Sequence, residues 1–263
     1  MLKREINFAF TNYFFMFYFA LLSFVQNFLS CLLGGEKCLC CSKRTLRIPL
    51  CRKCLIELSN FKFIKTCSRC GRQLISEIGL CSACRENSAL QSLDGVCSLY
   101  GYQLWKKSLL FAWKMENKRN LSVYFAWLFY RKLKSLEDEL GFSLPVVPVP
   151  PRAGKIRERG WDQINDLCYY LSDGWGVRIL PLLERMSRTQ QKKLDRNQRV
   201  ESIGTSYRLR KEKALRRIIP KVPDCLVLAD DVLTTGSTLE SCARELKALG
   251  VKKVFSITLF IVD

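Results

Sequence analysis

Hydrophobic positions along the C-terminal two thirds of the chain switch repeatedly between strand-like and helix-like spacing. Leu93 to Gln103 reads as a strand that turns at Gly101. From Leu121 to Leu140 the apolar residues Val123, Phe125, Leu128, Phe129, Leu133 and Leu136 recur at roughly helical spacing, with Asn120 before them and Gly141 after them. Pro145 to Val149 is a short apolar strand, and Trp161 to Leu171 is helical. Cys225 to Ala229 is continuously apolar, as a parallel strand buried on both faces should be. Ser237 to Leu249 sets Leu239, Ala243, Leu246 and Leu249 on one helical face, with Gly250 as its stop. Ser237 and Glu240 have the spacing of a capping box. Lys253 to Val262 is the next strand. Strands alternating with helices predict an α/β fold with an open, mostly parallel sheet.

The N-terminus has a different pattern. No charge occurs from Ile6 to Gly35, and the stretch holds ten aromatics between Phe8 and Phe28. Lys3 and Arg4 precede it. Length and flanks fit a membrane anchor or an uncleaved signal. Polar residues interrupt it, however, and its longest apolar run, Tyr13 to Leu22, is ten residues. The expectation is a soluble or peripheral helix, with an anchor as the alternative, in a cytoplasmic protein. A start at Met16 would remove part of the segment.

Cysteine spacing defines the next region. Ten of the 14 cysteines lie between Cys31 and Cys84. Eight form four C-x-x-C knuckles: Cys38/Cys41, Cys51/Cys54, Cys67/Cys70 and Cys81/Cys84. Such a pair can bind one tetrahedral ion together but bridges itself only with strain. Two knuckles complete a four-sulfur shell, so four imply two structural zinc ions with no open position for catalysis. Gaps of nine and ten residues within the halves suit short hairpins. Sequential pairing fits them; a cross-braced arrangement is compatible with the same spacing. Gly71, after Cys70, meets the knuckle's need for positive φ. Cys31 and Cys40 fall outside the pattern, and Cys97, Cys168, Cys225 and Cys242 sit in apolar segments as small core residues. Metal would supply most of the folding free energy of so small a region. The expected domains are an apolar segment 1–35, a double zinc ribbon 36–90, and an α/β domain 91–263.

Composition adds charge. The 263 residues hold 43 Lys and Arg against 24 Asp and Glu, a formal +19, which favours polyanionic partners such as phosphate or nucleic acid. There is no histidine, which excludes Ser-His-Asp and Cys-His catalysis and His-ligated metals. Residues 152–221 carry 18 basic against 8 acidic side chains. Lys155, Arg157 and Arg159 follow the Val-Pro-Val-Pro strand, and Arg188, Lys192, Lys193, Arg196 and Arg199 lie in a polar stretch able to close over an anion. The same charges could track a single-stranded nucleic acid, with Trp161 or Tyr169 as stacking platforms.

The most informative stretch follows the buried run. Asp230 and Asp231 stand at its carboxyl end, where open α/β sheets bind ligands. Thr234, Thr235, Gly236, Ser237 and Thr238 then run into a helix. A loop entering a helix offers free N–H groups and a favourable dipole to phosphate, and the hydroxyls donate without adding charge. Gly236 permits close backbone approach. Two carboxylates would repel a polyphosphate; they suit a sugar diol or a magnesium ion. The arrangement therefore reads as ribose 5-phosphate, with diol on the Asp pair and phosphate in the loop.

This segment resembles the 5-phosphoribosyl-1-pyrophosphate (PRPP) motif of type I phosphoribosyltransferases. The chain as a whole is similar to ComF/GntX-type proteins, which carry a zinc ribbon before such a domain. Val147 to Pro150, Arg159 to Gln163, Gln191 with Leu194 and Arg199, and Lys114 match that family's segments, and the resemblance spans about Leu21 to Asp263. Trp161-Asp162 replaces Phe-Asn, and Ser202 stands where Asn is usual. The resemblance implies PRPP bound with magnesium by Asp230 and Asp231, the Thr234–Thr238 loop, Lys155, Arg157, Arg159 and Gln163. It implies phosphoribosyl transfer in which Asp230 and Asp231 are catalytic, with an acceptor that no segment identifies. It also implies a link to natural competence and the DNA-uptake machinery. A non-catalytic single-stranded DNA binder retaining the fold is the alternative, and a form attached to the membrane through residues 6–35 is a third.

Overall fold

Cys225 to Ala229 forms the centre of the sheet, because a run without polar side chains can be covered on both faces. The computed structural model describes residues 35–45, 48–59, 65–74, 77–86, 90–101, 105–151, 160–186 and 207–262. Two compact units are distinguished, Met1–Asn60 and Phe61–Asp263.

The first unit contains a short antiparallel pair, β1 (Glu36–Lys37) and β2 (Arg44–Thr45), then α1 (Arg52–Ser59). The second opens with a bridge between Thr66 and Gln73 and a short helix, α2 (Ser82–Glu86). After these come β3 (Gly95–Gly101), α3 (Trp105–Lys114), α4 (Leu121–Leu140), β4 (Val146–Pro148) and α5 (Gln163–Trp175). Next come β5 (Leu183–Arg185), β6 (Tyr207–Leu209), α6 (Glu212–Ile218), β7 (Cys225–Leu233), α7 (Ser237–Ala248) and β8 (Lys253–Ile261). The main sheet has the order β3-β8-β7-β4, and every pairing in it is parallel. The parallel α/β expectation is therefore met.

The strand β7 runs past its apolar half. Asp230 pairs with Thr258 and Val232 with Phe260, so the ladder holds through the acidic pair. The helix α4 spans the expected residues and ends on a left-handed Gly141. It turns Phe125, Leu128, Phe129 and Leu133 inward, while Val123 faces outward. Phe125 meets Trp113 of α3 at 4.7 Å and Phe260 of β8 at 5.7 Å between ring centroids. Trp161 lies against Trp113 at 6.3 Å and is 7% exposed, so it belongs to the core and offers no face for stacking a base. Tyr169 remains on the surface. Arg119 forks onto Asp166 of α5, and its guanidinium lies 5.5 Å from the Trp161 ring, joining the start of α4 to α5.

The helix α5 begins at Gln163 rather than Trp161, because the Asp162 carboxylate accepts from the amides of Ile164 and Asn165 and caps it. Asn in that position caps equally well, so the Asp162 replacement keeps the local structure. The capping box expected at Ser237 and Glu240 does not form. Gly236 is the N-cap, no side chain caps the helix, and the Glu240 carboxylate is bonded elsewhere. Cys168 and Cys242 are buried as expected, whereas Cys97 and Cys225 are half-buried. No helix among the described residues is long and apolar enough to cross a membrane. The apolar segment 6–35 lies outside them except for Gly35.

Candidate functional site

The two halves of the cysteine region repeat one local structure. Cys38 donates its amide to Lys43 and Cys67 donates to Arg72, both at 2.7 Å. Ser42 returns a bond to the Cys38 carbonyl as Gly71 does to Cys67. Ser42 and Gly71 take φ values of 60° and 71°, so the positive φ expected after the knuckle occurs in both. The amides of Cys51 and Cys81 donate to the sulfurs of Cys38 and Cys67 at 3.3 and 3.4 Å.

Pairing is sequential. Cys38, Cys41, Cys51 and Cys54 form one group, and Cys67, Cys70, Cys81 and Cys84 the other, with all sulfurs of a group within 4.8 Å of one another. Zinc with bonds of about 2.3 Å sets its sulfurs about 3.8 Å apart. Cys41 and Cys51 are 3.5 Å apart and Cys70 and Cys81 3.7 Å, and all eight are free of disulfides. Both groups could thus hold a zinc ion, which would draw the sulfurs into a tetrahedron. Burial pushes the Cys38 and Cys67 thiols up, but backbone N–H donors outweigh it and hold both at about 6. Thiolate, the form a metal needs, is favoured at these two positions. Cys40 sits beside the first group, and burial with the neighbouring Cys38 raises its thiol to about 11.

The second candidate site lies at the carboxyl ends of β7 and β4. Asp230 and Asp231 are partly exposed there. The Asp231 amide donates to Asp230 Oδ1 at 2.8 Å, and Asp231 Oδ2 meets Lys114 Nζ at 2.7 Å. Lys114 is the last residue of α3, so this helix delivers a cation to the acidic pair. Lys114 stands out in the sequence, but nothing near it in the chain points to Asp231 as its partner. With one carboxylate neutralised, the pair presents less negative charge to an anionic ligand.

Thr234, Thr235 and Ser237 are exposed, Thr238 is half-buried, and Gly236 is buried with φ of 81°. The Thr235 and Ser237 hydroxyls are 3.0 Å apart. The Ser237 amide makes a long 3.5 Å bond to Thr235 Oγ1, which leaves this turn open to a stronger acceptor. Tyr207 of β6 sits nearby. Burial raises its hydroxyl pKa, and Arg185 and Thr238 pull it back. Arg185 Nη1 donates to that hydroxyl at 2.8 Å across the β5–β6 pair. These two residues, 22 apart in sequence, carry no local signal.

Gln163 is fully buried, and neither atom of its amide finds a partner among the described residues. Lys155, Arg157 and Arg159, and the stretch from Arg188 to Arg199, lie outside the described residues.

No family model matches the chain. Competence protein F of Haemophilus influenzae is 26% identical over 212 residues, covering 78% of this chain and 87% of the relative. DNA utilization protein YhgH of Salmonella typhimurium is 26% identical over 231 residues, covering 80% of this chain and 96% of the relative. Similarity of this extent to both proteins bears out the ComF-type resemblance carried by the motifs.

Proposed function

We propose that the chain binds a 5-phosphoribosyl ligand, PRPP with magnesium, where β7 meets α7. The observation that carries this reading is the close succession of two carboxylates near the end of β7, an open hydroxyl-bearing turn and a helix N-terminus. Asp230 and Asp231 hold the ribose hydroxyls; Thr234 to Thr238 and the first amides of α7 hold the 5-phosphate. Lys114 beside Asp231 makes a sugar diol a better occupant of the pair than a bare divalent cation. Magnesium would arrive on the pyrophosphate and neutralise its charge. In transfer, the bond from C1 to the pyrophosphate oxygen breaks, the pyrophosphate leaves with the electron pair, and an acceptor nucleophile bonds to C1. Between bond breaking and bond forming, Asp230 and Asp231 steady the oxocarbenium-like ribose.

The names of the two relatives support a role in DNA uptake, and the formal charge of +19 fits contact with single-stranded DNA. A non-catalytic single-stranded DNA binder that retains only the fold is the second reading. Titration of the full chain with PRPP and with single-stranded DNA, each at two salt concentrations, separates them. We expect saturable PRPP binding that needs magnesium, and DNA binding that falls steeply with salt. DNA binding without any PRPP binding would leave the second reading alone.

A further inference from the structure

The second cysteine group is built into the wall of the domain that carries the phosphate loop. Cys67, Cys70, Cys81, Leu74 and Leu90 belong to the same buried cluster as Leu228 of β7 and Leu239 and Cys242 of α7. Gly71 lies so close to β3 that a Cβ there would stand 2.8 Å from the Val96 carbonyl oxygen. The knuckle backbone is therefore seated on the sheet.

The chain leaving this group then grips the loop. A Cβ on Gly236 would stand 2.5 Å from Leu90 Cδ2, so Leu90 fills the space directly against the glycine of the loop. Two residues on, Ser92 donates its amide and its hydroxyl to the Glu240 carboxylate, at 3.0 and 2.7 Å, and Gln91 adds its amide at 2.9 Å. Glu240 stands in the first turn of α7, where a free carboxylate would oppose an incoming phosphate. Three donors hold it to residues 91–92 and take up its lone pairs.

We propose that Leu90 and Glu240 are positioning residues through which the second cysteine group, when it holds zinc, sets the geometry of the Thr234–Thr238 loop. This rests on the phosphate reading of the loop, and the test separates the two. Full-length protein is compared with Glu240→Ala, Glu240→Gln, Leu90→Ala and Cys84→Ser. The readouts are hydrogen exchange without ligand, zinc per chain, and affinity for ribose 5-phosphate. Glu240→Ala should speed exchange at residues 234–240 and weaken ribose 5-phosphate about tenfold, as loss of charged hydrogen bonds implies. Zinc content and exchange along β8 should stay unchanged, which a general loss of structure would not allow. Glu240→Gln keeps an accepting oxygen and should recover most of the affinity. Leu90→Ala should act like Glu240→Ala, and Cys84→Ser should lose one zinc and show the same faster exchange in the loop. Unchanged loop exchange in Glu240→Ala and Leu90→Ala would overturn the proposal. Faster exchange in a protein whose wild type ignores ribose 5-phosphate would uphold the coupling and end the phosphate reading.

Discussion

At the scale of single residues, Gly236 meets two demands at once. Its φ of 81° lies where side chains are strained, and Leu90 occupies the volume that a Cβ would need. Gly236→Ala should therefore cost about 1–3 kcal/mol of stability, measured by urea unfolding, and should lower affinity for ribose 5-phosphate. A variant as stable and as tight-binding as wild type would contradict this geometry. Lys114 shows how a residue outside the motif completes it. Its Nζ lies 2.7 Å from Asp231 in a partly buried setting, so the two acids need not repel each other or the ligand in full. The sequence displays the acids, the hydroxyls and the glycine side by side. It gives no hint that Lys114, more than a hundred positions earlier, ends its helix beside Asp231.

At the scale of elements, local signals were readable wherever the element depends on its own residues. The helix from Leu121 to Leu140 keeps its boundaries because an apolar face and a terminal glycine define it locally. Asp162 caps α5 through two amides, so Asp162→Ala should cost about 1 kcal/mol, seen as a lower melting temperature with the sheet intact. No change in melting would show that α5 is held by packing alone. Elements defined by distant partners were less legible. Glu240 has capping-box spacing, yet Gln91 and Ser92 claim its carboxylate from almost 150 positions away. The strands β5 and β6 are three residues each and, among the described residues, pair only with each other. The helix α3 did carry a signal that could have been found: Leu109, Leu110 and Trp113 repeat at helical spacing and are all buried. The strand β7 outruns its apolar stretch because β8 continues the ladder beside Asp230 and Val232.

At the scale of the whole molecule, charge, cysteines and fold address different partners. The eight knuckle cysteines could hold two structural ions, one group in each compact unit. The parallel sheet places one open turn and one acidic pair together at the end of β7. The excess of basic residues suits polyanions in general, and the proposed phosphosugar reading rests on the Asp pair. The most direct measurement is isothermal titration of PRPP with magnesium into the full chain and into the Asp230→Asn, Asp231→Asn double variant. One site per chain in the wild type, lost in a double variant whose circular dichroism is unchanged, is the expected result. Equal affinity in both proteins, or no binding by the wild type, would contradict the ribose-phosphate site.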